Sequence, residues 1–340
     1  MKLAVVINVG HGPETLKQAL ALQSLLLDRL GTRLDSIRLA APRLFDFACA
    51  AAVAEKPDIL AISASAQSAR RAGQMVLKRG LPILFLPGAM IPDWAKSLWG
   101  RLSLEQAIGT LKQGELRPVI LSVGSLGSQI FFGEACIGLP PHLSQLREAL
   151  SDASTFGEAW QACARAAQLS RLLLCPAIRF RRDGSDTQRA SALVVGTSQS
   201  GVTTPPDRHG SRTGFECTSF HYGPLGLVRA VARSAFGGDW RGGRRARFAC
   251  EKLTIEGNAA TWVLLDGDPV RIEAPLELRA LPRAIRSFSA GPGPQVANDN
   301  AKLSPLSPQF SHPPSEPRWN FSGPSHVAVN ETRNSGESKH

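Results

Sequence analysis

Three short stretches hold residues whose types and spacing suit phosphate chemistry. In the first, an apolar run at residues 58–62 leads into the small residues 64–68. A helical stretch, 69–78, follows and is closed by Gly80. Loops at the carboxyl ends of parallel strands are where open α/β sheets bind ligands, so Ser65 and Ser68 are candidate contacts for a phosphate-bearing cofactor. A second apolar run, 81–86, ends in Pro87-Gly88 and then Pro92-Asp93. Gly88 allows close approach, and Asp93 suits the positive end of the next helix. The second stretch is at the N-terminus, where a strand ends in Asn8 and passes into Gly10-His11-Gly12. Such a turn either offers backbone N–H groups to a phosphate or is a plain connector. The third is Asp266-Gly267-Asp268, an Asp-Gly hairpin turn that also carries two carboxylates. Arg70 and Arg71 open the helix after residues 64–68, where they face either an anion or solvent.

Composition narrows the setting. The 340 residues are 43% hydrophobic and 20% charged, enough to bury two cores. The run 3–7, broken by Asn8, is too short for a secretory leader, and no apolar stretch approaches a membrane span. A cytoplasmic protein is expected, with the inner membrane face as a peripheral site. The six cysteines include no CxxC pair, which speaks against zinc or dithiol chemistry and for free buried thiols. A net charge of +11 points to an acidic partner: anionic membrane, nucleic acid or a phosphate-bearing ligand. Arg229, Arg233, Arg241, Arg244, Arg245 and Arg247 cluster near a helical stretch, 225–236, with an apolar side. That combination suits anionic lipid. Nucleic acid is disfavoured, because a single tyrosine offers little stacking surface and no binding motif is present.

Elements to position these residues follow from periodicity. Pro13–Leu30 reads as an amphipathic helix with Leu16, Leu20, Leu27 and Leu30 along one stripe and Leu26 beside it, the stripe interrupted by Gln23. Strands at 2–9, 36–39, 58–62 and 81–86, alternating with helices at 13–30, 42–55 and 69–78, give a doubly wound parallel sheet. A helix at 104–111 ends at Gly114, and 119–123 with 129–132 forms a hairpin. After a helix at 156–174 come short strands at 177–182, 190–195, 215–220, 252–255, 261–265 and 270–274. The expected fold is therefore an α/β doubly wound N-terminal domain, 1–118, and an antiparallel β-rich, sandwich-like domain, 119–288. A disordered Pro/Ser/Asn/Gly-rich tail, 289–340, completes it.

The layout resembles the diacylglycerol kinase catalytic-domain family, which includes sphingosine kinases and bacterial lipid kinases. That family has Gly-Gly-Asp-Gly-Thr after one strand and Leu-Pro-x-Gly-Thr-x-Asn-Asp after the next. Residues 64–68 occupy the first motif without its glycines or its aspartate, which Ala66 replaces; Leu86, Pro87 and Asp93 keep parts of the second. Asn8 and Gly12 match the family's Asn-Pro-x-Ser-Gly. Phe131, Ala135, Ile137 and Gly138 match Phe-x-Asn-x-Ala-Ser-Ile-Gly, with Gly133 for its asparagine. The turn 266–268 is similar to the family's Asp-Gly-Glu. A turn before the strand 215–220 carries a metal-associated carboxylate in the family; here residues 211–214 have none, so no structural magnesium is expected.

The resemblance implies transfer of the ATP γ-phosphate, with Mg2+, to a lipid hydroxyl. Asp266 and Asp268 are then the candidate general bases. Asn8, Gly12, Ser65, Ser68, Gly88 and Asp93 are the cofactor contacts. Loss of the motif carboxylate at Ala66 implies weak or absent activity. The alternative is a lipid- or partner-binding protein on the same fold.

Overall fold

A computed structural model describes residues 2–10, 12–88, 91–100, 102–141, 143, 178–197, 214–223, 225–226, 229–230, 233, 241, 244–257, 261–273 and 275–290, all within the compact unit Met1–Val296. The chain opens with β1 (Leu3–Asn8), α1 (Pro13–Leu30), β2 (Leu34–Ala40), α2 (Phe45–Ala54), β3 (Ile59–Ser63), α3 (Ala66–Arg79) and β4 (Ile83–Phe85). The four strands form a parallel sheet in the order β2-β1-β3-β4. Strands β1, β3 and β4 are buried throughout, as near-continuous aliphatic runs demand when helices cover both faces. Two helices, α4 (Asp93–Lys96) and α5 (Leu104–Gln113), lead out of this sheet. α5 starts in a reciprocal Ser103/Gln106 capping box and stops at left-handed Gly114.

The remaining strands are β5 (Arg117–Leu126), β6 (Gln129–Phe131), β7 (Glu134–Gly138), β8 (Ile178–Arg182), β9 (Gln188–Ala190), β10 (Ala192–Gly196), β11 (Phe215–His221), β12 (Arg244–Cys250), β13 (Lys252–Glu256), β14 (Thr261–Leu265), β15 (Asp268–Ile272) and β16 (Leu276–Ser289). They build two antiparallel six-stranded sheets, β12-β11-β10-β7-β14-β15 and β6-β5-β16-β13-β8-β9. The core between them includes Phe131, Phe180, Phe215, Leu253, Val263 and Leu278. The expected α/β-plus-sandwich architecture is what the chain adopts. Strand β16 ties the sandwich to the parallel sheet. Its early residues pair with β13 and its later ones with β5, and at its end Ser289 Oγ donates to Leu98 O at 2.7 Å. A bulge between Leu281 and Ile285 bends it where Pro282 has no N–H to give and Arg283 adopts φ 52°.

Several expectations are corrected. The core stripe assigned to α1 is wrong: Leu16, Leu20 and Leu27 are 43%, 47% and 53% exposed, and Ala19, Leu22, Leu26 and Leu30 form the buried face. Helix α3 begins at Ala66, so residues 66–68 are its first turn and not a loop. Arg244, Arg245 and Arg247 of the basic cluster lie on edge strand β12. Strands β7, β12 and most of β16 were missed, and β16 carries order through Ser289. The helix at 156–174, most of that at 225–236, the turn 211–213 and the tail from 291 lie outside the described residues.

The sandwich tests its own packing. A Cβ on Gly124 would stand 2.0 Å from Phe131 Cζ, and Phe131 is fully buried and stacked on Phe215 at 5.7 Å. Gly124→Ala is expected to destabilise the protein by about 1–3 kcal/mol in urea denaturation. Gly109→Ala, made into open space on α5, should be neutral or stabilising by up to about 1 kcal/mol.

Candidate functional site

The sequence-assigned residues fall into two groups on either side of α3. On one side Asn8 is 3% exposed at the end of β1. Its Nδ2 donates to Ser68 Oγ at 2.9 Å, and its Oδ1 accepts the Gly10 N–H at 2.9 Å. Ser65 is the N-cap of α3, and its Oγ accepts the Ser68 N–H at 3.4 Å. Gly88 sits so close to β3 that a Cβ would come within 3.0 Å of Ser63 Oγ. Asn8, Ser65, Ser68 and Gly88 are thus brought together at the carboxyl ends of β1, β3 and β4. Gly12 is apart from them as the N-cap of α1, held at φ 104°. Asp93 is not part of the group: its side chain is 96% exposed and pairs with Lys96 at 2.5 Å.

A cavity of about 710 Å³ opens beside the first group, between α1 and α5. Asn8, Ser63 and Gly88 line its inner end. Leu22 and Leu25 from α1 and Leu104 from α5 give it apolar walls, and Ser103 and Glu105 stand at its rim. It is a half-open recess with a largely apolar lining.

On the other side of α3, Asp266 and Asp268 reach across from the sandwich. The β14–β15 hairpin turns on Asp266 (φ 52°) and Gly267 (φ 92°), both left-handed as a two-residue hairpin requires. The Asp266 carboxylate leaves the hairpin to accept three backbone N–H groups, from Phe132 (2.9 Å), Gly133 (2.6 Å) and Glu134 (3.1 Å). Thr197 holds the carbonyl side of the same turn: its hydroxyl donates to Phe132 O and its N–H to Gly133 O at 2.8 Å. Gly133, which replaces the asparagine of the resembled motif, is required by space. A Cβ there would lie 3.1 Å from Asp266 Oδ1 and 3.2 Å from Trp94 Cβ.

Asp268 lies beside the Gln67 N–H at the start of α3, which pulls its carboxyl down, and pairs with Arg70 Nη1 at 3.2 Å. Arg70 is only 2% exposed and also donates to Leu265 O. It therefore faces the sandwich, not an anion in solvent. Arg71 pairs with Asp46 at 3.0 Å on the surface. Burial pushes the Asp266 carboxyl up to about 6 against the pull of the three N–H donors and Arg70. Burial also raises Asp268, opposed by Arg70, and lowers the Arg70 guanidinium. Next to these charges Trp94 stacks on Phe132 at 4.4 Å, with Phe85 edge-on to both, so apolar packing seals the contact between α3, α4 and the sandwich.

Sequence reasoning missed Thr197, the inward course of Arg70, the α1–α5 cavity and an ion pair between Arg241 and Glu134 at 3.1 Å. No local pattern marks any of them. Among the described residues no cluster of three His, Cys, Asp or Glu side chains could hold a metal ion. Cys49, Cys136, Cys217 and Cys250 are free and buried; Cys163 and Cys175 lie outside the described residues.

No protein-family model matches the chain. No curated protein matches it either. Solved structures do. A diacylglycerol kinase from Bacillus anthracis str. Sterne is 12% identical, with a TM-score of 0.55 over 85% of this chain and 96% of its own. A putative diacylglycerol kinase from the same organism gives 0.56 at 12% identity, covering 85% and 96%. Another structure so described gives 0.56 at 12%, covering 87% and 98%. The chain has the diacylglycerol kinase fold, as its motifs led one to expect.

Two substitutions probe the contact across α3. Asp266 binds its proton more tightly folded than unfolded, so its contribution favours folding at low pH and is lost as pH rises from about 4 to about 6. Asp266→Asn should remove that component. In urea denaturation, the stability of wild type relative to the variant should fall across this window and be flat above it. Arg70→Met strands Asp268 and the Leu265 carbonyl. It should cost about 2–3 kcal/mol, less than a fully buried pair because Asp268 is 36% exposed, and Arg70→Met/Asp268→Leu should recover part of the loss.

Proposed function

We propose that this chain uses the diacylglycerol kinase fold to bind a lipid or another apolar ligand, with phosphoryl transfer weak or lost. One observation carries this reading: the start of α3, where a glycine-rich loop would wrap phosphate, is closed by the protein's own groups. Ser65 Oγ takes the Ser68 N–H, and the Asp268 carboxylate, held by buried Arg70, lies beside the Gln67 N–H. A triphosphate at this point would have to displace a carboxylate that a buried arginine already neutralises. Ala66 is the first residue of α3 and offers no oxygen to magnesium. The residues present therefore do not fit ATP with Mg2+.

The carboxylates are spoken for in the same way. A general base needs a free lone pair aimed at the nucleophile. Asp266 instead accepts three backbone N–H bonds in a buried setting. Two features support binding: the cavity between α1 and α5 with its largely apolar walls, and a basic surface that includes exposed Arg244, Arg245 and Arg247 on β12. An anionic membrane surface is the partner this reading favours, as a peripheral contact at the cytoplasmic face. No helix among the described residues is long and apolar enough to cross a membrane.

A second reading, a slow ATP-dependent lipid kinase, rests on Asp268 facing the first turn of α3. Calorimetric titration with ATP, with and without magnesium, separates the two. The expected result is no magnesium-dependent binding up to millimolar ATP and no transfer of labelled phosphate to diacylglycerol in mixed micelles. Micromolar, magnesium-dependent binding that weakens in Asp268→Asn would overturn the binding-protein reading in favour of the kinase.

A further inference from the structure

Cys217 on β11 and Cys250 on β12 bring their sulfurs to 3.5 Å inside the sandwich. The two residues are 33 apart in the chain, and they are 1% and 4% exposed among the apolar side chains of the core. The ladder fixes their relation. Cys217 stands opposite Phe248 and Cys250 opposite Phe215, so the thiols are diagonal neighbours on one face of the sheet. A buried cysteine ordinarily serves as a small hydrophobe, which does not call for a second sulfur in contact. A disulfide closes at about 2.05 Å between sulfurs, with Cα atoms up to about 6.8 Å apart, so a short approach of one strand toward the other is needed. Strand β12 can make it. It is the edge of its sheet and, among the described residues, is held there by β11 alone.

We propose that Cys217 and Cys250 are a redox-active pair that closes to a reversible disulfide and staples β12 to β11. The oxidant is a small-molecule disulfide. The Cys250 thiolate attacks one of its sulfurs and expels a thiolate, which leaves a mixed disulfide on Cys250. The Cys217 thiolate then attacks the Cys250 sulfur and expels the second thiolate. One S–S bond is broken and one is formed. Two electrons pass from the protein thiols to the reagent, and the two thiol protons end on the expelled thiolates. In the closed sheet this exchange is slow. Contact with the Cys250 thiol, and then burial, hold the Cys217 thiol well above its ordinary range, so little thiolate forms. Reaction therefore waits for β12 to peel away, as weakly held edges do. Cys250 leads because it moves with that strand. Once formed, the bond holds the strand that carries exposed Arg244, Arg245 and Arg247, so the thiol state sets how firmly the basic edge is kept in the sheet.

Trypsin places the two cysteines on separate peptides, 213–229 and 248–252. The full chain, treated under native conditions with excess oxidised glutathione and then alkylated, should yield these peptides joined, at their summed mass less two hydrogens. The melting temperature should rise by about 5 °C. Amide exchange over residues 244–250 should slow about tenfold or more, and dithiothreitol should reverse both effects. Cys250→Ala should show no such rise under the same oxidant. The peptide map of the wild type decides the matter whether or not that variant folds. Oxidation that leaves the two peptides unlinked overturns the proposal, as do glutathione adducts that persist on Cys217 and Cys250. Pairing of either residue with Cys49, Cys136, Cys163 or Cys175 overturns it as well. A link that forms only after addition of urea does the same, because it would then belong to the unfolded chain and not to the sheet.

Discussion

The contact between the parallel sheet and the sandwich depends on burying charge without orphaning it. Asp266 has left water, and a carboxylate does so at tolerable cost only if its lone pairs are met. Here the Phe132–Glu134 turn supplies three N–H groups, while Thr197 binds the carbonyls of the same turn. Arg70 enters from α3 and joins Leu265 O and Asp268 to this arrangement. Each component is costly alone. Together they fix the β14–β15 hairpin, the β6–β7 turn and the start of α3 relative to one another. Burial still exceeds the compensation at Asp266, which is why its carboxyl sits near 6.

That fixation has a chemical consequence at the α3 N-terminus. A helix start offers unpaired N–H groups and a partial positive charge, which an anion or a capping side chain can satisfy. A glycine-rich loop keeps them for a ligand. Here Ser65 caps one and Asp268 lies beside another, and with Ser65 in the extended conformation at φ −62° and ψ 166° the helix can begin at Ala66 without glycine. Capping and phosphate binding compete for the same groups at a helix start.

Much of the fold was legible because parallel strands need unbroken apolar runs, and β1, β3 and β4 have them. The Asp266-Gly267 turn and the Gly80 and Gly114 stops were legible because each needs a special backbone conformation. The errors have equally local causes. Leu16, Leu20 and Leu27 in α1 outweigh Ala19 and Leu22 in a reading by hydrophobicity, though those three leucines face solvent. Strand β12, with the sequence RRARFAC, hid its alternation because an edge strand exposes most of its residues. Residues 64–68 were read as a loop because Ser65 is equally at home in a loop and at an N-cap. The site was half legible: Asn8, Ser65, Ser68 and Gly88 do converge, but the course of Arg70 depends on Asp268, almost two hundred residues away.

The same connections constrain how a ligand can enter. Arg70 and the Phe85–Trp94–Phe132 stack cross the boundary between the parallel sheet and the sandwich. β16 spans it covalently, ending against Leu98. Separating the two layers would strand buried Arg70 from half-buried Asp268 and expose three packed aromatic rings at once. The α1–α5 cavity lies on the far side of the parallel sheet's carboxyl edge from these contacts, and its lining includes none of them. A ligand can therefore reach Asn8, Ser63 and Gly88 without disturbing the charge network. The cavity and the charge network are thus structurally independent of each other.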